Sequence, residues 1–459
     1  MIRPSTGARV ARSLRSRLVR RAHLFALAWA LTLLGALTGA PASAAGLFAA
    51  VSAAEADAAA TADLPLAAVR SRVVRLDLGE LSRHVTPPGN DLRQDRVARA
   101  RSLDGVIRIE LFPDAAATFR RTDVDTVGDS GITWTGKISG RRYSFAALVI
   151  GSGEVTGAVQ LGSRYFRIDP VGGGLHRVTE IDRSRLPHNE NDYVVPENLP
   201  PPSPDERSIV EPRAKTVVTV LGAFTQKAKN QSANVVNEIK LALQMANTAY
   251  ANTGIKIRLK LVGTMKTGSY NEGADTFNQW LKVLDDVSGF NNPATLSSVR
   301  TKRNQLDADL VALIVRKSST LCGLAWIAVN PSAATSNLGF SEHALDCLAG
   351  GIVFPHELGH NMGLHHDRLT YRTETDPDRP NPPKSKYNFG FINNNAGVID
   401  IMAYLSSCAA LPCIQVQWFS SASVKYNGAV KFGIPKGTKN AADATRRLNE
   451  TRIGIAAYR

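Results

Sequence analysis

The chain has 459 residues, 44% of them apolar and 21% charged, long enough for two or three domains. Its formal charge of +15 would suit a nucleic-acid or membrane-surface binder, but seven of its arginines fall within the first 21 residues. No aromatic-interleaved basic patch or basic helix follows, which argues against nucleic acid as a partner.

Arg3, Arg9, Arg12, Arg15, Arg17, Arg20 and Arg21 precede an apolar run over residues 24–40, and Pro41-Ala42-Ser43-Ala44-Ala45 follows it. A basic start, an apolar core and small residues make residues 1–44 a secretory signal peptide, with cleavage expected after Ala44. The run is about 17 residues, the lower edge for a membrane span, so an uncleaved anchor is the lesser alternative. Arg20-Arg21 lacks a twin-arginine context. The mature protein is expected outside the cell, or in the periplasm in transit, with no stable membrane association.

Residues 45–62 are Ala-rich and are expected to lack fixed structure. Apolar alternation over residues 106–112, 132–138, 143–150, 154–161 and 165–168, punctuated by Gly, Ser and Asp, predicts a small β-rich domain over residues 63–186. Residues 187–213 read as a linker, since Pro200-Pro201-Pro202-Ser203-Pro204 favours an extended, protease-accessible chain. A maturation cut is expected between about residues 205 and 215. Residues 214–459 form the last domain. Strands over 216–224, 255–262 and 309–315, with a helix over 229–250, predict an α/β layer with a mixed sheet. Residues 323–329 would be its edge strand, able to align an extended peptide. This domain holds 27 basic and 17 acidic side chains, against 21 and 23 in residues 45–213. Its basic surface is either a solvated face or an attraction for acidic peptides. No further module is expected after Arg459.

The chemistry lies in residues 356–367, His-Glu-Leu-Gly-His-Asn-Met-Gly-Leu-His-His-Asp. His356 and His360, four apart, share one helix face and can hold one metal ion. Glu357 lies about 100° round the helix, placed to act as base on a water rather than as a ligand. Gly363 suits a helix end and chain reversal, which brings His366 back as third ligand and leaves a fourth tetrahedral position open. His365 is one residue short of the ligand spacing and reads as a neighbour. Pro355 is tolerated only in a helix's first turn, so the ligand helix should begin near Val353 or Phe354.

Cys322, Cys347, Cys408 and Cys413 are the four cysteines. In an exported chain they suggest two disulfides, with three pairings possible. Short loops favour Cys408 with Cys413 and Cys322 with Cys347. Asp376 and Asp378 are cation-ligand candidates in a polar, proline-flanked loop, and a calcium requirement is left open.

Asp400-Ile401-Met402-Ala403-Tyr404 resembles the Met-turn beneath the zinc site of metzincins. Together with residues 357–367 it looks like the reprolysin (adamalysin) type. Cys322-Gly323-Leu324-Ala325, Trp418-Phe419-Ser420 and Arg447-Leu448-Asn449-Glu450-Thr451-Arg452 are similar to the secreted bacterial branch of peptidyl-Asp metalloendopeptidases. The resemblance implies an α/β (α+β) metzincin catalytic domain with a mixed sheet and a zinc-binding helix. It implies one catalytic Zn2+ on His356, His360 and His366, with Met402 as the apolar base beneath them. It also implies hydrolysis of peptides on the amino side of acidic residues. Tyr404 matches a tyrosine that reaches the zinc or the oxyanion in several metzincin families, with core packing as the alternative.

Trp134-Thr135-Gly136 and Tyr165-Phe166-Arg167-Ile168-Asp169-Pro170 resemble a reprolysin-like propeptide, which would make the chain a proenzyme; a free-standing binding domain is the alternative. Such propeptides often silence zinc with a cysteine, but none precedes residue 214. Steric cover would serve, and His176, His188, Glu190 and Asp192 are the candidates for a direct ligand. The rivals to a zinc endopeptidase are a non-catalytic zinc-binding or adhesion protein retaining the fold, which would have no need of Glu357, and a zinc hydrolase acting on something other than peptides.

Overall fold

Two sheets with one long helix between them organise the chain. The computed structural model describes residues 46–59, 64–65, 67–84, 105–127, 131–141, 143–187, 191–196, 214–348, 350, 352–373, 386–409 and 413–459. The expected signal peptide, the proline run with the expected maturation site, His188, Glu190, Asp376 and Asp378 lie outside them. Among the described residues no helix is long and apolar enough to cross a membrane.

The N-terminal sheet has nine strands, antiparallel throughout. Its strand Ser144–Gly151 shows why the run is apolar at almost every position. Ala146 and Leu148 enter one core with Trp134, Phe166 and Ile168. Phe145, Ala147 and Val149, on the opposite face by the two-residue period, pack with Tyr165 against Leu241 and Met245 of the long helix. The Ala-rich start corrects the expectation of disorder. Phe48–Ala49 pairs with Ala68–Leu76, Leu47 is fully buried, and Ala53–Ala59 is helical. Ser52 and Glu55 cap that helix reciprocally, at 3.0 and 3.3 Å, and alanine favours the helix that follows.

The second sheet is mixed. Its order is Tyr193–Val194, Gly323–Trp326, Phe340–Ala344, Leu310–Val315, Thr216–Phe224 and Ile257–Lys266. Only the contact of Gly323–Trp326 with Phe340–Ala344 is antiparallel. Gly323–Trp326 was expected to be the edge. Instead Tyr193–Val194, from the segment read as linker, pairs with it in parallel. Backbone donors predict that an edge will find a partner, but not which segment supplies it.

The expected helix over 229–250 is two helices, Gln226–Gln231 and Val235–Thr253. Asn234 breaks the run because its side chain caps the second helix, accepting from Asn237 N at 3.1 Å. Ile239, Ala242, Leu243 and Ala246 of that helix pack in one core with Leu358 and Met362, beside the metal-site residues.

Candidate metal centre

The ligand helix spans Val353–Asn361, so Pro355 falls in its first turn, where a missing N–H forfeits no helical bond. The helix ends as its sequence requires. Gly363 has φ +91°, and Leu364 N donates to Gly359 O at 2.9 Å. A Cβ on Gly363 would stand 2.7 Å from Ala328 O, so the reversal also depends on a close backbone approach. Asn361 fixes the helix to the sheet by donating to Trp326 O, Leu338 O and Phe340 O at 2.8–2.9 Å.

Beyond the turn, His366 meets His356 and His360. The three rings stand 4.8–5.2 Å apart, centre to centre, and all are buried. His356 Nδ1 donates to Ile401 O and His360 Nδ1 to Leu364 O, both at 2.8 Å. Each carbonyl fixes the proton on Nδ1 and leaves Nε2 with its lone pair, the form that binds a metal. Burial holds His360 in the neutral form, its pKa down to about 3.

A fourth donor converges on these rings. Asp192 Oδ1 lies 2.7 Å from His366 Nε2 and 3.5 Å from His360 Nε2, and Oδ2 lies 3.4 Å from His356 Nε2. The four donor atoms all lie within 4.8 Å of one another. Burial opposes the Asp192 charge, but His366 and His356 hold its pKa well below the usual carboxylate range. The Nε2 atoms of His356 and His360 are buried and hydrogen-bond to nothing. Lone pairs in that state, beside a carboxylate, fit a divalent cation such as zinc, whose tetrahedral donors sit about 3.3 Å apart.

Glu357 stands beside the centre, 1% exposed. Burial, then the charges of Asp192 and Glu342, push its pKa well above the usual carboxylate range. It fits because residue 323 is glycine: a Cβ there would stand 2.3 Å from Glu357 Oε1. Tyr404 packs edge-on to His366 at 4.9 Å, and its hydroxyl donates to Asp192 Oδ2. Met402 is fully buried in the core beneath the ligand helix. Asp367 ties the two motif segments together, accepting from Thr370 N at 3.1 Å and Tyr404 N at 3.2 Å.

The candidates sort clearly. His356, His360, His366, Glu357, Tyr404 and Met402 come together as expected, and His365 is a neighbour 3.4 Å from the Tyr193 hydroxyl. His176 lies inside the N-terminal sheet and accepts from Val155 N at 3.1 Å, so it is not a ligand. The disulfides are Cys322–Cys347 and Cys408–Cys413, the pairing favoured by loop length. Sequence reasoning missed Tyr193, whose ring packs 4.8 Å from His360 and 5.1 Å from His366.

A buried histidine triad on one helix and its return loop, with a carboxylate beside it and a sheet edge alongside, defines a metallopeptidase. Residues 236–367 match the family described as Metallo-peptidase family M12B Reprolysin-like. The chain is similar to the peptidyl-Asp metalloendopeptidase of Stenotrophomonas maltophilia, 26% identical over 82% of this chain and 88% of the relative. The same-named protein of Xanthomonas campestris is 28% identical over 75% and 79%, and that of Pseudomonas aeruginosa 26% over 54% and 41%. The chain is a metalloendopeptidase that resembles the reprolysin-like family over residues 236–367.

Proposed function

We propose that this chain is a secreted zinc endopeptidase made as a proenzyme. The observation that carries the reading is the convergence of His356, His360 and His366 with Glu357 beside them. The three imidazoles would hold zinc, which when bound supplies Lewis acidity towards a carbonyl and towards water. The chain's own groups do the rest. Glu357 accepts a proton from the attacking water and returns it to the leaving amine. The Tyr404 hydroxyl, now directed at Asp192, is placed to donate to the developing oxyanion. The backbone of Gly323–Trp326 offers the groups that align an extended peptide.

Two features favour a latent form. The Asp192 carboxylate lies among the ligand nitrogens, and its strand takes the edge: Ala325 N donates to Asp192 O at 3.1 Å and Ile327 N to Val194 O at 3.0 Å. A substrate needs both places. The leader over residues 1–44 supports export.

The relatives' names extend the reading to bonds beside aspartate, and the basic balance of residues 214–459 favours it. The wall of the cleft is against it, since among the described residues of 214–459 no lysine or arginine lines the cavity beside Glu357.

Glu357→Ala tests the reading. The processed variant should keep stoichiometric zinc and lose hydrolysis of a mixed peptide library, and the parent's activity should vanish with a chelator. Normal turnover in the variant would overturn the role of the base. Zinc binding without chelator-sensitive cleavage by the parent would leave a binding protein instead.

A further inference from the structure

A cavity of about 380 Å³ lies where the N-terminal sheet meets the catalytic part, with none of the metal-centre residues in its wall. Residues between 137 and 160 supply one side of it, and Asn252 with residues between 416 and 427 supplies the other. The space exists only while the two parts are joined. Lys137 and Arg141 bring cations to the wall, and among the described residues no aspartate or glutamate lines it. The charge of this wall is therefore of one sign.

Two of its polar groups lack what would satisfy them. The half-buried Lys137 ammonium donates to Asn252 Oδ1 at 2.7 Å, and no carboxylate among the described residues pairs with it. Burial lowers its pKa, with no neighbouring charge to offset the loss. Across the seam Gln417 is 6% exposed, and its Nε2 is buried without a hydrogen-bond partner. An ammonium without a counter-charge and an amide that donates to nothing want the same partner, an acceptor that carries negative charge.

Much of the remaining wall is aromatic. The Tyr143 ring stacks on Tyr426 at 5.5 Å, and Trp418 meets Tyr426 edge-on at 5.0 Å. Tyr143 keeps this place at φ +58°, a left-handed backbone that a non-glycine residue adopts only at a cost. Such rings accept an apolar body as readily as the cations accept a charge.

We propose that this cavity binds an organic monoanion, a carboxylate on an apolar or aromatic body, with Lys137 and Gln417 donating to the carboxylate and the cluster of Tyr143, Trp418 and Tyr426 against the body. The carboxylate belongs either to a free acid or to the C-terminus of a peptide. A ligand that needs both sides of the seam stabilises the joined form. The site is separate from the metal centre, so it stands or falls independently of the endopeptidase reading.

Calorimetric titration of the full chain tests it with 3-phenylpropionate, N-acetylphenylalanine, N-acetylphenylalaninamide and inorganic phosphate. At least one of the two carboxylates should bind, and the amide about 10-fold or more weakly, the scale of one charge-assisted contact. Binding of 3-phenylpropionate alone identifies the source as a free acid, and tighter binding of N-acetylphenylalanine identifies it as a peptide end. Binding of neither at millimolar concentration would overturn the inference, as would an amide or a phosphate bound as tightly as the carboxylates.

The location is tested by substitution. Lys137→Gln, which keeps a donor for Asn252 but no charge, should weaken the carboxylate about 10-fold or more. Gln417→Glu, similar in shape and opposite in sign to what the ligand needs, should abolish binding. Thermal unfolding identifies the variants that fold, and unchanged affinity in either folded variant would remove this cavity as the site. Binding should also survive removal of zinc by a chelator. Binding lost together with the zinc would place the anion at the metal centre and overturn the inference.

Discussion

Asp192 Oδ1 stands 2.7 Å from His366 Nε2, while the same carboxylate accepts the Tyr404 hydroxyl through Oδ2. One side chain thus covers the position a metal needs and the position an oxyanion needs. Asp192→Ala in the full chain should therefore raise chelator-sensitive peptidase activity before any processing. The rise should be about 10–100-fold, the worth of one or two charge-assisted contacts. Initial rates on the unprocessed protein check this, and full latency in the variant would show that steric cover alone silences the site.

Cutting the linker should not by itself free the catalytic part. Arg167 of the N-terminal sheet is buried against Glu238 of the long helix at 3.0 Å, with Asp169 at 2.8 Å. Leu241 and Met245 of the same helix are buried in the N-terminal core, each contributing about 1.5–3 kcal/mol. Chain nicked between residues 205 and 215 should co-elute as one particle on size exclusion and remain latent. Glu238→Ala, which removes the contact across the two parts and leaves the buried guanidinium one carboxylate partner, Asp169, instead of two, at a cost of up to about 3–5 kcal/mol, should let the pieces separate. Separation of the unmutated nicked chain would contradict the prediction.

Gly323→Ala should cost catalysis while sparing the metal. The added Cβ would meet Glu357 Oε1 at 2.3 Å and force the base aside, whereas the imidazoles are held from Ile401 and Leu364. The expected loss in kcat is about 100-fold, typical of a displacement near 1 Å, with zinc stoichiometry unchanged by elemental analysis. Lost zinc would place the effect in folding.

Glu342→Gln should stabilise the protein above neutral pH. Both carboxylate oxygens are buried without a hydrogen bond, and burial, then Glu272, push its pKa well above the usual range. A raised acid pKa means that the folded state holds a proton the unfolded chain gives up. Its stability contribution is thus present at low pH and falls as pH rises from the unfolded value towards the folded one. The amide cannot ionise, so the gain should be absent near pH 4 and reach about 2–4 °C in Tm at pH 8. Equal gains at both pH values, by calorimetry, would count against burial of an ionisable proton as the cause.

The histidine cluster, the glutamate beside it and the helix end were legible in sequence because they are local. Three- and four-residue spacing fixes which side chains share a helix face, and Gly363 reverses the chain within a few residues. The strand over residues 216–224 was equally plain, since a buried parallel strand is a continuous apolar run. The disulfide pairing followed from loop length.

Asp192 was one of four candidates by sequence, and only packing chose among those described. His176 went into the N-terminal sheet while Asp192 entered the histidine cluster on a strand added to the Gly323–Trp326 edge. The sequence alone determined the three-histidine cluster and the glutamate beside it, because these depend on short-range spacing. The tertiary structure decided what closes that centre and what lines its side-chain cavity, because both come from segments far apart in the chain, whose meeting depends on how two sheets pack around one helix.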